Sequence, residues 1–374
     1  MSDIEQAKSL FSQGIALFEN GDLQAAHDSF EQALVLAPQR PSVLLNLGIT
    51  RMQLGRWEDA AEPLQLSLAT DPQQVDGWVA LAMVCNRLGQ LPQALHAYQQ
   101  LLQMDEQHAL AWGESANVLR EMNRYEEAAR HYQRALALQP GHELYAYYLS
   151  ALGGEGGPAH PPPQYVQGLF DQYAEDFEDH LVDALQYRGH SHLIKHLPTE
   201  AAERFEHVLD LGCGTGLCGP LIRSRAGQLW GIDLAAAMVE KSRQLGVYDQ
   251  VRQADCTRFL RDCPQDWDLV LAADVFIYVG ALEELFGALS LRMPPGSWLA
   301  FTAESCEDST EPGRPRLLAS LRYAHPLSYL QNVAKCYGFV WRSHHTAPLR
   351  LDQGQPMQAL YAYLQRMPQV ADTK

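Results

Sequence analysis

The stretch Asp210-Leu211-Gly212-Cys213-Gly214-Thr215-Gly216 brings together residues suited to holding a small polar ligand against bare backbone. Glycines in such a turn let the main chain approach a ligand with no Cβ in the way, and they expose N–H groups at the start of the next helix. The spacing is D-x-G-x-G-x-G. Leu217 stands where a G-x-G-x-x-G dinucleotide fingerprint needs its third glycine, and no phosphate-binding lysine follows. Asp233, followed by Leu234, closes the next apolar run, where a carboxylate can accept hydrogen bonds from both hydroxyls of a ribose. Asp255-Cys256 and Ala272-Ala273-Asp274 close two further runs. Taken singly, Asp255 and Asp274 suit helix caps equally well, and Cys213 and Cys256 suit small space-filling positions.

The elements that must position these residues follow from periodicity. Five short apolar runs, His207–Asp210, Gln228–Asp233, Val251–Asp255, Trp267–Asp274 and Ser297–Glu304, alternate with helix-length stretches such as Ala235–Gln244 and Gly280–Leu291. That alternation predicts a parallel sheet with helices on both faces. Phe339–Arg350 and Met357–Arg366 have no helix between them and predict a closing hairpin through Asp352-Gln353-Gly354, making seven strands, mainly parallel. Ahead of the sheet, aromatics at Phe170, Tyr173 and Phe177 share one helix face. They suit either a covering helix or a lid whose Tyr173 or Phe177 closes over a ligand. His190, His192 and His196 lack carboxylates or cysteines in register and read as surface histidines, so no metal is expected.

These motifs in strand–loop–helix context resemble the class I S-adenosylmethionine-dependent methyltransferases, over roughly residues 165–370. The resemblance implies a Rossmann-like α/β fold and S-adenosyl-L-methionine as cofactor. It further implies that Asp210, Gly212, Cys213, Gly214 and Gly216 form the glycine-rich loop and that Asp233, with Leu234, holds the ribose. Met238 is then an apolar contact to adenine, Asp255-Cys256 a contact to its amino group, and Ala273 and Asp274 line the methyl donor. The aromatic pair Tyr173 and Phe177 would close over the cofactor. Displacement at a sulfonium methyl needs chiefly alignment and exclusion of water, with a base only for a protonated acceptor. Asp274 and Tyr278 are the candidates, with Glu304 nearby and Arg322-Tyr323-Ala324-His325 as an acceptor-side element. In that element His325 is either catalytic or a turn residue before Pro326. The Asn/Asp-Pro-Pro-Tyr and Pro-Cys motifs of amino- and cytosine-directed enzymes are absent. Asp274-Val-Phe-Ile-Tyr278 is one residue longer than the Asp-x-x-Tyr signature of a lysine-methylating family.

The first half repeats every 34 residues. Gly21, Gly55, Gly89 and Asn123 share one column; Ala26, Ala60, Ala94 and Ala128 the next; Phe30, Leu64, Tyr98 and Tyr132 a third. Pro38, Pro72 and Pro140 end three units, with Glu106 in the remaining one. Glycine or Asn permits the left-handed turn between two helices, Ala permits their close approach, and Pro stops the second helix. This pattern, with Trp78 and Trp112, resembles the tetratricopeptide repeat over residues 7–140, an α-solenoid of four units capped by Glu143–Leu152. The resemblance implies a protein or peptide partner on the face of the first helices. The residues expected there are Phe11, Leu45, Val79, Gly113, Ile15, Ile49, Met83 and Asn117. That apolar stripe equally suits packing on the chain's own second domain or on a second subunit.

The Gly/Pro-rich run 153–163 is a linker, separating domains 1–152 and 164–374. The remaining indicators exclude rather than assign. A net charge of −17 argues against a phosphate-backbone binder. Seven scattered cysteines with no Cys-x-x-Cys argue against a disulfide framework or zinc ribbon. Without a signal peptide or an apolar run long enough for the bilayer, the expected location is cytoplasmic. The expected function is methyl transfer with recruitment of a partner or substrate by the repeats. The alternatives are a non-catalytic adaptor with a cofactor-sensing or degenerate domain, and a small-molecule methyltransferase dimerised by its repeats.

Overall fold

The repeating alanines decide how the first unit packs. Ala26, Ala60, Ala94 and Ala128 are each fully buried where the two helices of a pair cross, and Phe30, Leu64, Tyr98 and Tyr132 fill the adjoining space. The pairs are Asp3–Glu19 with Leu23–Leu36, Pro41–Gln53 with Trp57–Thr70, Val75–Arg87 with Leu91–Met104, and Ala109–Glu121 with Tyr125–Leu138; Glu143–Gly153 follows. The turn column adopts the left-handed backbone its residue types permit, with φ of +84° at Gly21, +75° at Gly55, +68° at Gly89 and +59° at Asn123. Of the eight face positions, Met83 is exposed (45%); Gly113 is buried and the other six are half-buried. Phe11 packs on Phe30 with ring centroids 5.9 Å apart, and Asn117 accepts a hydrogen bond from the Tyr132 hydroxyl at 2.5 Å.

The computed structural model describes residues 2–153, 158, 160–163, 165–166, 168–169, 185–306, 313–352 and 355–368. Tyr173 and Phe177 lie outside the described residues. The chain divides into two compact units, Met1–Leu152 and Gly153–Lys374. Among the described residues no helix is long and apolar enough to cross a membrane.

The second unit is built on a sheet. Its strands are β1 Phe205–Leu211, β2 Ala226–Asp233, β3 Gln250–Gln253, β4 Leu269–Ala272, β5 Trp298–Cys306, β6 Arg316–Leu317, β7 Tyr323–Pro326, β8 Phe339–Asp352 and β9 Gln355–Arg366. Strands β1 to β5 pair in parallel in the order β3-β2-β1-β4-β5. The hairpin then folds back so that β9 lies antiparallel between β5 and β8. This is the seven-stranded core expected from the sequence. The fold adds β6 and β7, beside the end of β5, which were too short to stand out as apolar runs. Leu209, Leu211, Val270, Leu299 and Phe301 are fully buried, as strands covered on both faces require.

Candidate functional site

The carboxyl ends of β1, β2 and β4 open into one cleft of about 1140 Å³. Ligands of open α/β sheets bind at this edge, where successive strand ends diverge. Asp210, Gly212, Cys213, Gly214, Thr215, Asp233, Leu234, Asp255, Cys256, Ala273, Asp274 and Tyr278 all contribute to its walls.

The loop after β1 is held tightly. Gly212 has φ +67° and a Cβ there would meet Val275 Cγ2 at 2.6 Å; Gly214 has φ +54° with nothing within 4 Å of its missing Cβ. The first glycine serves packing and the second leaves the cleft open. Asp233 fastens the loop from the side: Gly214 N–H donates to its Oδ2 and Ala235 N–H to its Oδ1, both at 2.9 Å. A carboxylate has about four lone-pair positions, so two backbone bonds do not exhaust it. Asp210 is buried and accepts from the Tyr248 hydroxyl at 2.6 Å. Burial pushes its carboxyl up to about 6. Asp255 is the N-cap of helix Cys256–Asp262, accepting from Arg258 N–H at 2.8 Å, while also lining the cleft. Cys213 and Cys256 line it as well, with thiols pushed up by burial.

Asp274 has φ +62°, a left-handed conformation rare for a non-glycine residue and one that gathers at functional sites. Its N–H donates to Thr302 Oγ1 at 2.7 Å. Burial raises its carboxyl to about 6, against the opposing charge of Arg322. Arg350 lies 3.4 Å from Asp274 and 3.7 Å from Glu304, and Arg322 lies 3.5 Å from Glu304. Both arginines line the cleft beside Tyr278, whose hydroxyl is pushed upward by burial. The outcome is a buried arrangement of two cations and two carboxylates.

Three buried polar atoms in residues of the cleft wall have no hydrogen-bond partner among the described residues: Thr215 Oγ1, Asp274 Oδ1 and His190 Nδ1. Leaving such groups bare is costly, so a ligand with complementary donors and acceptors fits here.

Three expected site residues stand outside the cleft wall. Gly216, with φ +96°, serves packing, since a Cβ there would meet Leu245 Cδ1 at 2.7 Å and Ser242 Oγ at 2.9 Å. Met238 is fully buried against Ala235 and is absent from the cleft wall, because helix Ala236–Gln244 turns it into a small apolar cluster. His325 is fully buried; its Nε2 lies 2.9 Å from the Val279 carbonyl and 3.1 Å from that of Gly280. Burial holds that imidazole down to about 4, so it anchors the loop after Tyr278 from behind. His190, expected on the surface, is half-buried in the cleft wall. Arg350 and Thr215 were missed as site residues. Leu349 and Arg350 are consecutive and both buried, which a regular strand with one face covered would not allow. A register shift between Pro348 and Arg350 turns Arg350 inward.

Residues 11–75 and 82–143 match the tetratricopeptide repeat family profile, and residues 208–296 match that of a methyltransferase domain. The chain is a tetratricopeptide-repeat array joined to a class I methyltransferase domain. Curated relatives that it matches are named as methyltransferases. A malonyl-[acyl-carrier protein] O-methyltransferase of Enterobacter lignolyticus is 30% identical over 148 residues, 40% of this chain and 57% of that protein. A trans-aconitate 2-methyltransferase of Paracidovorax citrulli is 33% identical over 110 residues, 29% of this chain and 41% of that protein. This chain therefore spans less than two thirds of the length of either. Among solved structures, magnesium protoporphyrin IX methyltransferase from Synechocystis PCC 6803 with bound SAH aligns with a TM-score of 0.43 and 14% identity, over 55% of this chain and 99% of that one. The repeat array contains a second hollow of about 550 Å³, bordered by Leu68, Trp78, Leu81, Cys85, Pro92 and His96.

Proposed function

We propose that the methyltransferase domain uses S-adenosyl-L-methionine to methylate an oxygen of an acceptor bearing a carboxylate, and that the repeat array recruits a protein carrying or accompanying that acceptor. One observation carries the choice of acceptor: Arg322 and Arg350 line the same cleft as Asp274 and the glycine loop. Guanidinium groups in a fixed position match carboxylate geometry. The relatives support the same class, one named for an acceptor on an acyl-carrier protein and another for a small acid anion.

Asp233 would hold the ribose, the backbone of Gly212 and Gly214 with Thr215 the amino-acid end, and Leu234, Asp255 and Cys256 the adenine. When bound, the cofactor supplies a methyl group already activated on a sulfonium. A carboxylate oxygen arrives ionised and needs no general base, so the protein's work is alignment and exclusion of water. Arg322 and Arg350 would orient the acid, and Glu304 behind them would keep both guanidinium groups forward. Tyr278 would close the wall beside Arg322. Tyr173 and Phe177 remain candidates for covering the cofactor. We place the enzyme in the cytoplasm, where this cofactor and reduced thiols coexist.

Calorimetric titration with S-adenosylmethionine tests the base of this reading: the wild type binds and Asp233→Ala loses at least tenfold in affinity. Transfer of labelled methyl into carboxylic acids, free and carrier-bound, tests the acceptor. Absence of cofactor binding by the wild type sinks the enzymatic assignment and favours an adaptor. Binding with label found only in amines or RNA sinks the carboxylate assignment.

A further inference from the structure

We propose that His192, His196 and His345 form a binding site for a divalent transition-metal ion, of the zinc class, on the methyltransferase unit and apart from the cleft. The site stands independently of the function proposed above. One ring nitrogen from each imidazole lies within 4.8 Å of the other two. None of the three residues lines the cleft.

His192 and His196 are four residues apart at the end of helix Gly189–Lys195, so they share one helical face, and their rings stack at 4.0 Å. Sequence spacing alone showed only this pair beside His190. The fold supplies the third ligand from β8, 153 positions along the chain, with His345 Nε2 2.8 Å from His192 Nε2. Two facing imidazole nitrogens at this distance need either a shared proton or a shared cation. A tetrahedral zinc ion with Zn–N bonds of about 2.0–2.1 Å sets its ligand nitrogens about 3.3 Å apart, so the pair needs to open by only about half an ångström.

The outer partners favour ligation. His196 Nδ1 lies 2.9 Å from the His192 carbonyl, which can only accept; Nδ1 therefore carries the proton and Nε2 presents a lone pair. His345 is held between aromatic rings, stacked on Tyr361 at 5.3 Å and Tyr363 at 5.9 Å. Tyr363 in turn donates from its hydroxyl to the Leu193 carbonyl at 3.1 Å, joining β9 to the helix that carries the other two ligands. Three imidazoles leave a fourth position for water or an exogenous ligand. Imidazole donors select zinc, nickel, copper or iron over magnesium and calcium, which prefer oxygen.

A bound ion fastens helix Gly189–Lys195 to β8. Tyr187 and His190 immediately precede the histidine pair and Arg350 follows His345 by five residues, and all three line the cleft. The ion thus braces one wall of the catalytic hollow without entering it.

The test uses full-length protein without a histidine tag, stripped with chelator, and titrated calorimetrically with zinc chloride. The expected result is one site per chain. His345→Ala and His196→Ala should each weaken it at least tenfold, the scale on which loss of even an outer partner acts. His344→Ala, which removes an exposed neighbouring imidazole, should leave affinity within twofold. Zinc should raise the melting temperature of the wild type and not that of His196→Ala, whose exposed side chain can be removed without disturbing the core. Titration with cobalt should give a spectrum without thiolate-to-cobalt charge transfer. No zinc binding, equal binding by the histidine variants, or a thiolate signature from the free cysteines overturns the site. S-adenosylmethionine binding by the stripped protein is measured in parallel, so that failure here is separable from failure of the proposed function.

Discussion

Arg350 Nη1 lies 3.4 Å from Asp274 Oδ2, joining residues 76 positions apart and tying the bulged strand β8 to the loop that ends β4. Both side chains are largely withdrawn from water, at 4% and 16% exposed, so removing the cation leaves a buried carboxylate undercompensated. Replacing Arg350 with Met leaves Asp274 and Glu304 to share the charge of Arg322 alone. The expected loss is about 3 kcal/mol of unfolding free energy, the scale for breaking a buried pair. Arg350→Met combined with Asp274→Asn should recover part of it. Urea unfolding of the three proteins measures this; equal midpoints for Arg350→Met and wild type would show that the contact contributes nothing.

Asp274 gives a pH-dependent counterpart. Its carboxyl is raised to about 6, chiefly by burial, so between roughly pH 4 and 6 the folded protein holds a proton that the unfolded chain has released. An acid shifted this way weakens the fold as pH rises, and the full penalty is present above pH 6. Asp274→Asn removes it. The variant should be more stable than wild type by roughly 3 kcal/mol at pH 7.5, the equivalent of a two-unit displacement, with the gap closing near pH 4. Arg350 keeps Glu304 at 3.7 Å, so the substitution does not strand the guanidinium. A gap that widens toward acid would contradict the assignment.

The four-unit repeat was legible because each of its columns has a steric reason that any member must meet. Glu106, where a Pro was expected, shows what the column uses. Trp112 Nε1–H donates to the Glu106 carbonyl at 3.0 Å, as Trp78 Nε1–H donates to the Pro72 carbonyl at 2.9 Å. The backbone oxygen does the same task under either side chain. Ser67, in register with Ala33 and Ala135 of the first and fourth units, is buried and donates to the Pro41 carbonyl at 2.7 Å. In the second unit, strand ends and the glycine loop were legible because turn chemistry is local. Arg350 was not, since its inward direction depends on a bulge opposite Met357. Met238 and His325 carry types suited to a site, yet the turn of a helix and the path of a loop place them behind the wall. The insertion of β9 between β5 and β8 follows from pairing over long range, which no local pattern encodes.

The two loop glycines should separate folding from binding. Alanine at Gly212 meets Val275 Cγ2 at 2.6 Å as well as adopting φ +67°, so Gly212→Ala should lose about 2 kcal/mol or more. Alanine at Gly214 meets nothing within 4 Å and bears only the strain of φ +54°, on the order of 1–2 kcal/mol. Its methyl group enters the cleft, so Gly214→Ala should remain folded and lose cofactor affinity at least tenfold. Thermal unfolding with calorimetry on the same samples checks both halves.

In the repeat array, Gly113 lies under the Tyr145 ring, and a Cβ there would come within 2.0 Å of it. Gly113→Ala should therefore destabilise the first unit by about 1–3 kcal/mol through overpacking. Truncating the ring in Gly113→Ala/Tyr145→Leu should return part of that loss, whereas Tyr145→Leu alone should destabilise. Proteolytic cleavage rates within residues 1–152 report on the unit separately from the methyltransferase domain. Additive losses in the double variant would show that the two residues do not meet.

His325 is a residue whose type invites a catalytic role and whose position withholds one. Its Nε2–H is directed at the carbonyls of Val279 and Gly280, and its ring stacks on Tyr329 at 6.0 Å, all behind the loop that follows Tyr278. With its imidazole held down to about 4 by burial, it is neutral throughout the range where the enzyme would work and presents no proton that changes hands there. A side-chain amide reproduces the N–H donor at similar reach. His325→Gln should thus keep methyl transfer within a few-fold of wild type and leave the pH–rate profile unshifted, while His325→Leu, which strands two buried carbonyls, should lower stability by about 1–3 kcal/mol. Rates of labelled methyl transfer from pH 5 to 9 decide the matter. A hundredfold fall in His325→Gln with a lost ionisation would return the residue to the reaction and require the loop to open far enough for the imidazole to reach the acceptor.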